Sequence, residues 1–224
     1  MKNLYKATLV SAALIASAGT LAGWNSVAAT NEIALQNTET AGAESNETTR
    51  ATTYKVDESH AVVVFKIRHR GVASFYGQFS TIKGTIDFDK LHVERSSMSL
   101  VVPIESVYTG NRKRDDHIKG ADFFNVRQYP EATFVSTGIE ETSDGEYAVT
   151  GDFTLQGKTV EVVAQVTNVD SGIVNGSKLM GLDATFSIKR SDFGMTKYLD
   201  PSNPEGGSLG DLVELMVSIE AAAE

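Results

Sequence analysis

The sequence predicts an all-β fold in which eight antiparallel strands form an up-and-down barrel with one short inserted helix. After residue 60, apolar residues occupy every second position in most segments, a pattern typical of strands with one buried face. Short turns such as Asp144-Gly145 and Asn175-Gly176 separate the segments, so neighbouring strands are expected to run antiparallel. One helix cannot cover the apolar face of eight strands, so the sheet is expected to close on itself.

Local signals refine individual strands. The second strand is expected to contain a bulge near Ser80 and a bend at Gly84. The alternation in the fourth strand is weaker, with Phe134 on one face and Val135 and Ile139 on the other. The eight predicted strands cover residues 60–69, 77–89, 96–105, 131–141, 146–156, 160–167, 177–190 and 211–220.

The alternation also predicts which side chains line the inside of the barrel. An eight-stranded barrel is either filled by its own side chains or holds one small ligand, and the residues alone leave both interpretations open. In an open pore, burial of an apolar chain would stabilise the complex by about 0.8 kcal/mol per CH₂ group. The predicted pore-lining residues are Val63, Phe65, Ile67, Ile86, Phe88, Met98, Leu100, Val102, Phe134, Val149, Phe153, Val162, Ala164, Leu182, Phe186, Ile188, Leu215 and Val217.

One segment, residues 111–134, interrupts the alternation. A charged run that ends at His117 and the aromatic pair Phe123-Phe124 indicate a short helix and a turn between two strands. A charged, solvated surface connection is one explanation. The other is a plug, in which Phe123 and Phe124 close one barrel end and His117 lies at the pore mouth.

The first residues indicate export. Lys2 and Lys6 precede an apolar run of small residues, and Val27-Ala28-Ala29 is a suitable cleavage site, so residues 1–29 are interpreted as a signal peptide. An uncleaved membrane anchor is the alternative. Residues 30–52 are polar and lack an apolar period, as expected of a flexible linker, and residues 53–222 form the predicted barrel domain. The expected location is therefore periplasmic or secreted.

Composition and motifs argue against several classes of function. The chain has no cysteine, which excludes disulfides and thiolate metal sites, and its net charge of −9 disfavours nucleic-acid binding. Its four histidines show no metal-binding spacing, and phosphate-loop, dinucleotide and serine-hydrolase motifs are absent from the sequence. We therefore predict no metal, no cofactor and no catalytic residues.

The motifs resemble those of the YceI-like family of lipocalin-like, polyisoprenoid-binding proteins over residues 54–219. The resemblance rests on the stretches YKVDESHAVVVFKIRH, GQFSTIKGTIDFD, TGNRKRDDHIKGADFFNVRQYPEATFVST, VTGDFTLQGKTVEV and FSIKRSDFGM. It implies an extended, lipocalin-like eight-stranded barrel whose pore holds an isoprenoid or another long-chain lipid, in a largely exported bacterial family. The residues that match the family's two signatures are Arg114, Asp115, His117, Phe123, Phe124, Pro130 and Phe134, and then Arg190, Ser191, Asp192, Phe193 and Gly194.

Two classes of function stay open. The first is an exported carrier, storage or sequestering protein for a polyprenyl or quinone-type lipid, and the sequence favours it because no nucleophile and base can be paired. The second is a hydrolase or other enzyme that acts on such a lipid, with Asp115, Asp116 or His117 at the pore mouth. Neither class involves nucleic acid or stable membrane insertion, and formation of a homodimer stays open.

Overall fold

The computed structural model describes residues 51–224, so the predicted signal peptide and nearly all of the predicted linker lie outside the described residues. Within 51–224 no helix is long and apolar enough to cross a bilayer. The strands are β1 (Thr52–Val56), β2 (Val62–His69), β3 (Ala73–Phe79), β4 (Lys83–Phe88), β5 (Ser97–Pro103), β6 (Val107–Tyr108), β7 (Glu131–Ser143), β8 (Glu146–Leu155), β9 (Lys158–Val174), β10 (Ser177–Lys189) and β11 (Leu209–Ala223). The helix α1 (Arg112–Ile118) lies between β6 and β7, and short 3-10 turns cover Val93–Arg95, Ile104–Ser106 and Arg190–Phe193.

These segments form a closed barrel of eight antiparallel strands. β1 and β2 both pair with β11 and run in the same direction, so they form one interrupted barrel strand. β3 and β4 form a second interrupted strand, because β3 pairs with β2 and β4 pairs with β1. β5 and β6 form a third, because β5 pairs with β4 and β6 pairs with β3. β7 to β11 follow as consecutive neighbours, and β11 returns to β1. The predicted up-and-down barrel with one inserted helix is confirmed.

The interruptions are the main local departures from the predicted strands. β1 was not among the predicted strands, because five residues give too few alternations to identify a strand. Residues 80–82 separate β3 from β4, at the position where a bulge was predicted. Between β5 and β6 the chain makes a 3-10 turn, and the Ile104 amide donates to the Pro130 carbonyl at 2.8 Å.

The predicted faces of the fourth strand were partly wrong. A register shift between Ser136 and Gly138 changes the phase of β7, so that Phe134 and Ile139 both face inward while Val135 is exposed. The Ser136 hydroxyl accepts a hydrogen bond from the Met98 amide at 2.9 Å. This bond gives the amide a partner next to the irregular register. The bulge supplies the extra residue that strict alternation did not anticipate.

Side chains fill one end of the barrel. Tyr54, Ile86 and Val149 are almost fully buried there, and Phe88 packs edge-on against Tyr147 with ring centroids 6.0 Å apart. We call this the closed end; it includes the β4–β5, β7–β8 and β9–β10 turns. The opposite end, which we call the mouth, includes the β2–β3 turn, α1 and the connection from β10 to β11.

Gly84 should be intolerant of a side chain. Its φ is +137°, and an added Cβ would lie 2.0 Å from the Ser99 carbonyl oxygen on β5. We expect Gly84→Ala to lower the free energy of unfolding by about 2 kcal/mol or more, because backbone would have to move. Gly138→Ala is the matched control, since nothing lies within 4 Å of the added Cβ. Equal urea-unfolding midpoints for the two variants would contradict the close approach of β4 and β5.

Candidate functional site

The barrel encloses a largely apolar cavity of about 750 Å³ that extends from the mouth toward the closed end. Most of the predicted pore-lining residues contribute to its wall, and lipid binding by them stays a prediction. Those that line the cavity are Val63, Phe65, Ile67, Met98, Leu100, Val102, Phe134, Phe153, Ala164, Leu182, Phe186, Ile188, Leu215 and Val217.

The remaining four predicted residues point inward but do not line the cavity. Ile86, Phe88 and Val149 belong to the packed closed end, beyond the cavity. Val162 lies opposite Gly151 in the register of β8 and β9, and the Phe134 ring occupies the space over Gly151. The phase of a strand predicts whether a side chain points inward, but not how far along the barrel axis it lies. These four residues were therefore predicted to line the pore together with the others.

Two glycines allow aromatic rings to lie against the barrel wall. Gly77 is the direct cross-strand partner of Phe65, and a Cβ on Gly77 would lie 2.3 Å from that ring. A Cβ on Gly151 would lie 2.4 Å from the Phe134 ring. Because each ring occupies the place of a missing side chain, neither needs to extend across the cavity, and the centre of the barrel stays open.

The plug segment, residues 111–130, covers part of the mouth. Phe124 packs edge-on against Phe79 inside the barrel, with ring centroids 5.6 Å apart. Phe123 is 8% exposed and packs against His117 at 5.2 Å. All three side chains of the predicted plug, His117, Phe123 and Phe124, line the cavity, whereas Arg112 and Lys113 on the same segment face solvent. These three side chains therefore face the cavity, and the role of the segment as a plug stays a prediction.

Hydrogen bonds around Thr109 fix the start of the plug segment. The buried Asp115 carboxylate accepts from the Thr109 amide at 2.9 Å and from the Thr109 hydroxyl at 2.5 Å. The Arg114 guanidinium donates to the Thr109 hydroxyl at 2.8 Å and to its carbonyl at 2.7 Å, and it stacks 4.4 Å above the Phe75 ring. The Asn111 side chain caps α1 by accepting from the Arg114 amide. These bonds orient Arg114 along the cavity edge.

A second segment, the mouth loop (residues 194–209), forms the opposite side of the opening. The buried Arg190 side chain determines its path by donating to the main-chain carbonyls of Met195, Lys197, Leu209 and Gly210. Burial lowers the pKa of Arg190 from its ordinary value, and nearby acidic residues oppose that change. The loop thereby places Met195, Tyr198 and Leu209 against the cavity.

The plug segment and the mouth loop touch through one exposed ion pair and one aromatic contact in which Phe123 is buried and Tyr198 is exposed. Lys197 Nζ lies 3.1 Å from a carboxylate oxygen of Asp122, and the Phe123 and Tyr198 rings have centroids 6.2 Å apart. The hydrogen bond to Asp122 raises the pKa of Lys197 from its ordinary value. Exposed ion pairs of this kind contribute little stability, so the two sides of the mouth are only weakly joined.

Apart from His117, the polar part of the cavity was not predicted. His69, Arg70, Thr109, Arg114 and Ser208 line it at the mouth. Among residues 51–224 the side chains that line the cavity include arginines and histidines but no carboxylate. These residues lie where strands end or, for Arg114, in α1, so strand periodicity could not assign them a face. The available signals were their position next to turns and, for Arg114, its place in the signature quoted above. The lining therefore combines an apolar interior with a basic opening.

Among residues 51–224, one group of side chains could ligate a metal. One ligand atom each from Asp57, His60 and Glu220 lies within 4.8 Å of the other two, in the connection between β1 and β2 and on β11. His60 Nδ1 lies 2.8 Å from an Asp57 carboxylate oxygen, and that hydrogen bond raises the pKa of His60. The group lies apart from the cavity, and an exposed ion pair with a turn explains its geometry. The absence of a metal from the function stays a prediction.

Comparisons with known proteins agree with this architecture. The profile of the YceI-like domain matches residues 54–221. A UPF0312 protein of Ectopseudomonas mendocina is 38% identical over 173 residues, which cover 76% of this chain and 87% of that protein. BcnA of Burkholderia cenocepacia superposes with a TM-score of 0.64 at 26% identity, over 74% of this chain and 99% of BcnA.

A polyisoprenoid-binding domain from Saccharophagus degradans, which is implicated in plant cell wall breakdown, shares the fold. Its TM-score is 0.59 at 15% identity, and the match covers 77% of this chain and 99% of that domain. At this identity the likeness concerns the fold alone.

Removal of either plug aromatic should destabilise the barrel. We expect Phe123→Ala and Phe124→Ala each to lower the free energy of unfolding by about 3 kcal/mol, since buried ring contacts are lost. Tyr108→Ala is the control, because Tyr108 is 57% exposed on β6 and its truncation should cost under about 0.5 kcal/mol. Chemical denaturation measures all three. Losses below about 0.5 kcal/mol for both phenylalanine variants would show that the segment is a surface connection.

Proposed function

This chain belongs to the YceI-like family, and we propose that it is an exported lipid-binding protein that holds a polyisoprenoid or similar long-chain lipid in its barrel. The observation that carries this proposal is the apolar cavity of about 750 Å³ that reaches the mouth. Its volume lies within the range of about 300–1,000 Å³ found for ligand pockets. The protein would act as a carrier, a store or a sequestering protein for this lipid.

The composition of the cavity supports a long apolar ligand with one polar end. Side chains such as Leu100, Phe153 and Leu182 line the interior, where each buried CH₂ of a ligand would contribute about 0.8 kcal/mol. Polar donors lie only toward the mouth among the described lining residues, as Arg70 and Thr109 illustrate. A polyprenyl or quinone-type lipid has this division between tail and head. The fold shared with a polyisoprenoid-binding domain adds further support.

Binding is favoured over catalysis by the contacts of the candidate catalytic residues. The Asp115 carboxylate is engaged with the amide and hydroxyl of Thr109, which is a structural role at the start of α1. The His117 ring packs against Phe123. Asp116 is exposed to solvent on α1. We propose that the protein works without a cofactor other than its lipid ligand and without resident metal.

The proposed location is the periplasm or the extracellular space, after cleavage of residues 1–29. An amino-terminal sequence that begins near Thr30 in the exported protein would support it, and an intact amino terminus in a membrane fraction would favour an anchor.

Native mass spectrometry of the freshly purified exported protein tests the binding proposal. We expect a mass excess equal to one long-chain lipid per barrel, which organic extraction removes and identifies. A protein that carries no lipid and takes up no polyprenyl or quinone-type lipid from detergent micelles would contradict the proposal. Conversion of the added lipid by the wild type, lost in His117→Ala, would instead favour the enzyme.

Tryptophan fluorescence separates an open cavity from a filled core. A chain that begins at Ala51 lacks Trp24, the sole tryptophan, so each variant carries one fluorophore. Leu100→Trp places an indole at the cavity wall, whereas Val163→Trp lies on the outer face, where Val163 is 50% exposed. We expect Leu100→Trp to emit at short wavelength, to respond to added polyprenyl lipid and to lose lipid capacity. Val163→Trp should do none of these.

Stability gives a second readout of the same pair. Added volume in a close-packed core lowers the free energy of unfolding by about 1–3 kcal/mol. If the cavity has room for the indole, we expect Leu100→Trp to lower it by much less. A heavy loss of stability in Leu100→Trp, together with a wild type that lacks bound lipid, would show that the barrel is filled.

A further inference from the structure

The two ends of the barrel differ in charge. Carboxylates dominate the turns and strand ends of the closed end, among them Glu94, Glu140, Glu141, Asp144, Glu146 and Asp170. Lysines and arginines are fewer there, with Lys90 and Arg95 in the β4–β5 connection and Lys178 beside the β9–β10 turn. Within residues 51–224 the excess of acidic side chains is therefore concentrated away from the cavity opening.

At the mouth, several carboxylates are engaged by hydrogen bonds within the protein. Asp200 accepts from the Ser202 amide and hydroxyl, and Glu205 accepts from the Asp211 and Leu212 amides. Such bonds direct the carboxylates toward the protein instead of outward.

Some basic residues of the mouth are paired, as Lys119 is with Glu105 and Lys197 with Asp122, but others are not. Arg70, Arg112 and Lys113 are exposed, and within residues 51–224 none of them forms an ion pair. Asp116 is an exposed acidic neighbour on α1, so the surface is mixed in sign but far less acidic than the closed end. An anionic surface would approach the mouth at a lower electrostatic cost than it would approach the closed end.

Exposed apolar side chains accompany these bases. Val72 is 81% exposed at the tip of the β2–β3 turn, next to Arg70, and Tyr198 is 52% exposed on the mouth loop. Arg70 and Tyr198 also line the cavity, so this exposed surface borders its opening. Tyrosine and basic side chains beside an apolar tip are the composition that favours the interface between water and lipid headgroups.

From these observations we infer that the mouth docks onto a lipid surface rich in anionic headgroups. The acidic closed end is repelled from such a surface, which orients the barrel with its opening toward the bilayer. The contact is peripheral and involves Val72, Tyr198 and the surrounding bases. Docking would let an apolar chain pass between the bilayer and the cavity without crossing water, and this role in loading a lipid rests on the proposed function. The docking itself does not require a bound ligand.

The closed end provides a matched control, because it also has an exposed apolar tip. Ile173 is 79% exposed at the end of the β9–β10 hairpin, much as Val72 is at the mouth. Lys90 is likewise an exposed base in a turn of the closed end. Identical substitutions can therefore be compared at the two ends.

Flotation of the exported protein with vesicles tests the inference. We expect binding to vesicles of mixed phosphatidylglycerol and phosphatidylcholine, little binding to pure phosphatidylcholine, and weaker binding in 0.5 M salt, where the charges are screened. Val72→Glu and Lys113→Glu should each reduce the partition coefficient roughly fivefold or more. Ile173→Glu and Lys90→Glu should bind as the wild type does. All four changes lie at exposed positions, so an unchanged melting temperature is expected and is measured in parallel.

Three results would overturn the docking surface: equal binding to both kinds of vesicle, equal losses in the mouth and closed-end variants, or a loss confined to Ile173→Glu and Lys90→Glu. Lipid content, measured by mass spectrometry on the same samples, keeps the two proposals apart. Absence of vesicle binding in a protein that carries lipid refutes docking alone. Vesicle binding by a protein that neither carries nor takes up lipid refutes the proposed function alone.

Discussion

The structure depends on how the last strand closes the sheet. β11 pairs with β10 along one edge, and on its other edge it pairs first with β2 and then with β1. Both ends of the domain's sequence thus meet in one ladder, and each of the eight barrel strands has hydrogen-bonded neighbours on both sides along part of its length, although the segment β6 pairs with β3 alone. A closed ladder has no open edge through which a ligand could enter, so access depends on the barrel ends. Because side chains fill one end, the mouth is the route that the fold provides.

Closure also explains why the cavity does not collapse. The number of strands and their stagger set the diameter of a barrel, so the wall cannot move inward to replace missing contacts. Rings that lie over Gly77 and Gly151, together with the small Ala164 and Ala184, leave the centre without partner atoms. Apolar atoms that face such a space forfeit dispersion contacts. A bound apolar chain restores these contacts, so occupancy by a lipid would stabilise the folded barrel in proportion to the lipid's affinity and concentration.

Much of this architecture could be predicted from strand periodicity, because most strands have one apolar face and one wet face. Periodicity failed at the bulge between Ser136 and Gly138 and at the break that isolates β1, whereas the irregularity after Phe79 was anticipated near Ser80. It also could not separate an open pore from a filled one. That distinction depends on pairs such as Phe65 with Gly77, which are adjacent across strands but distant in sequence. The basic lining of the mouth was missed for a related reason, since His69 and Arg70 lie where alternation ends.

The two sides of the mouth are held by interactions of unequal strength. The mouth loop is fixed by the buried Arg190, whose guanidinium is satisfied by four main-chain carbonyls and could not lose them without leaving a buried charge unpaired. The plug segment has its own internal support in the hydrogen bonds of Thr109, Arg114 and Asp115. Between the two segments lie the exposed Asp122–Lys197 pair and one aromatic contact. If the opening widens to admit a lipid, separation between these two segments requires the least free energy, because each side keeps its own buried hydrogen bonds while one exposed ion pair and one aromatic contact are broken.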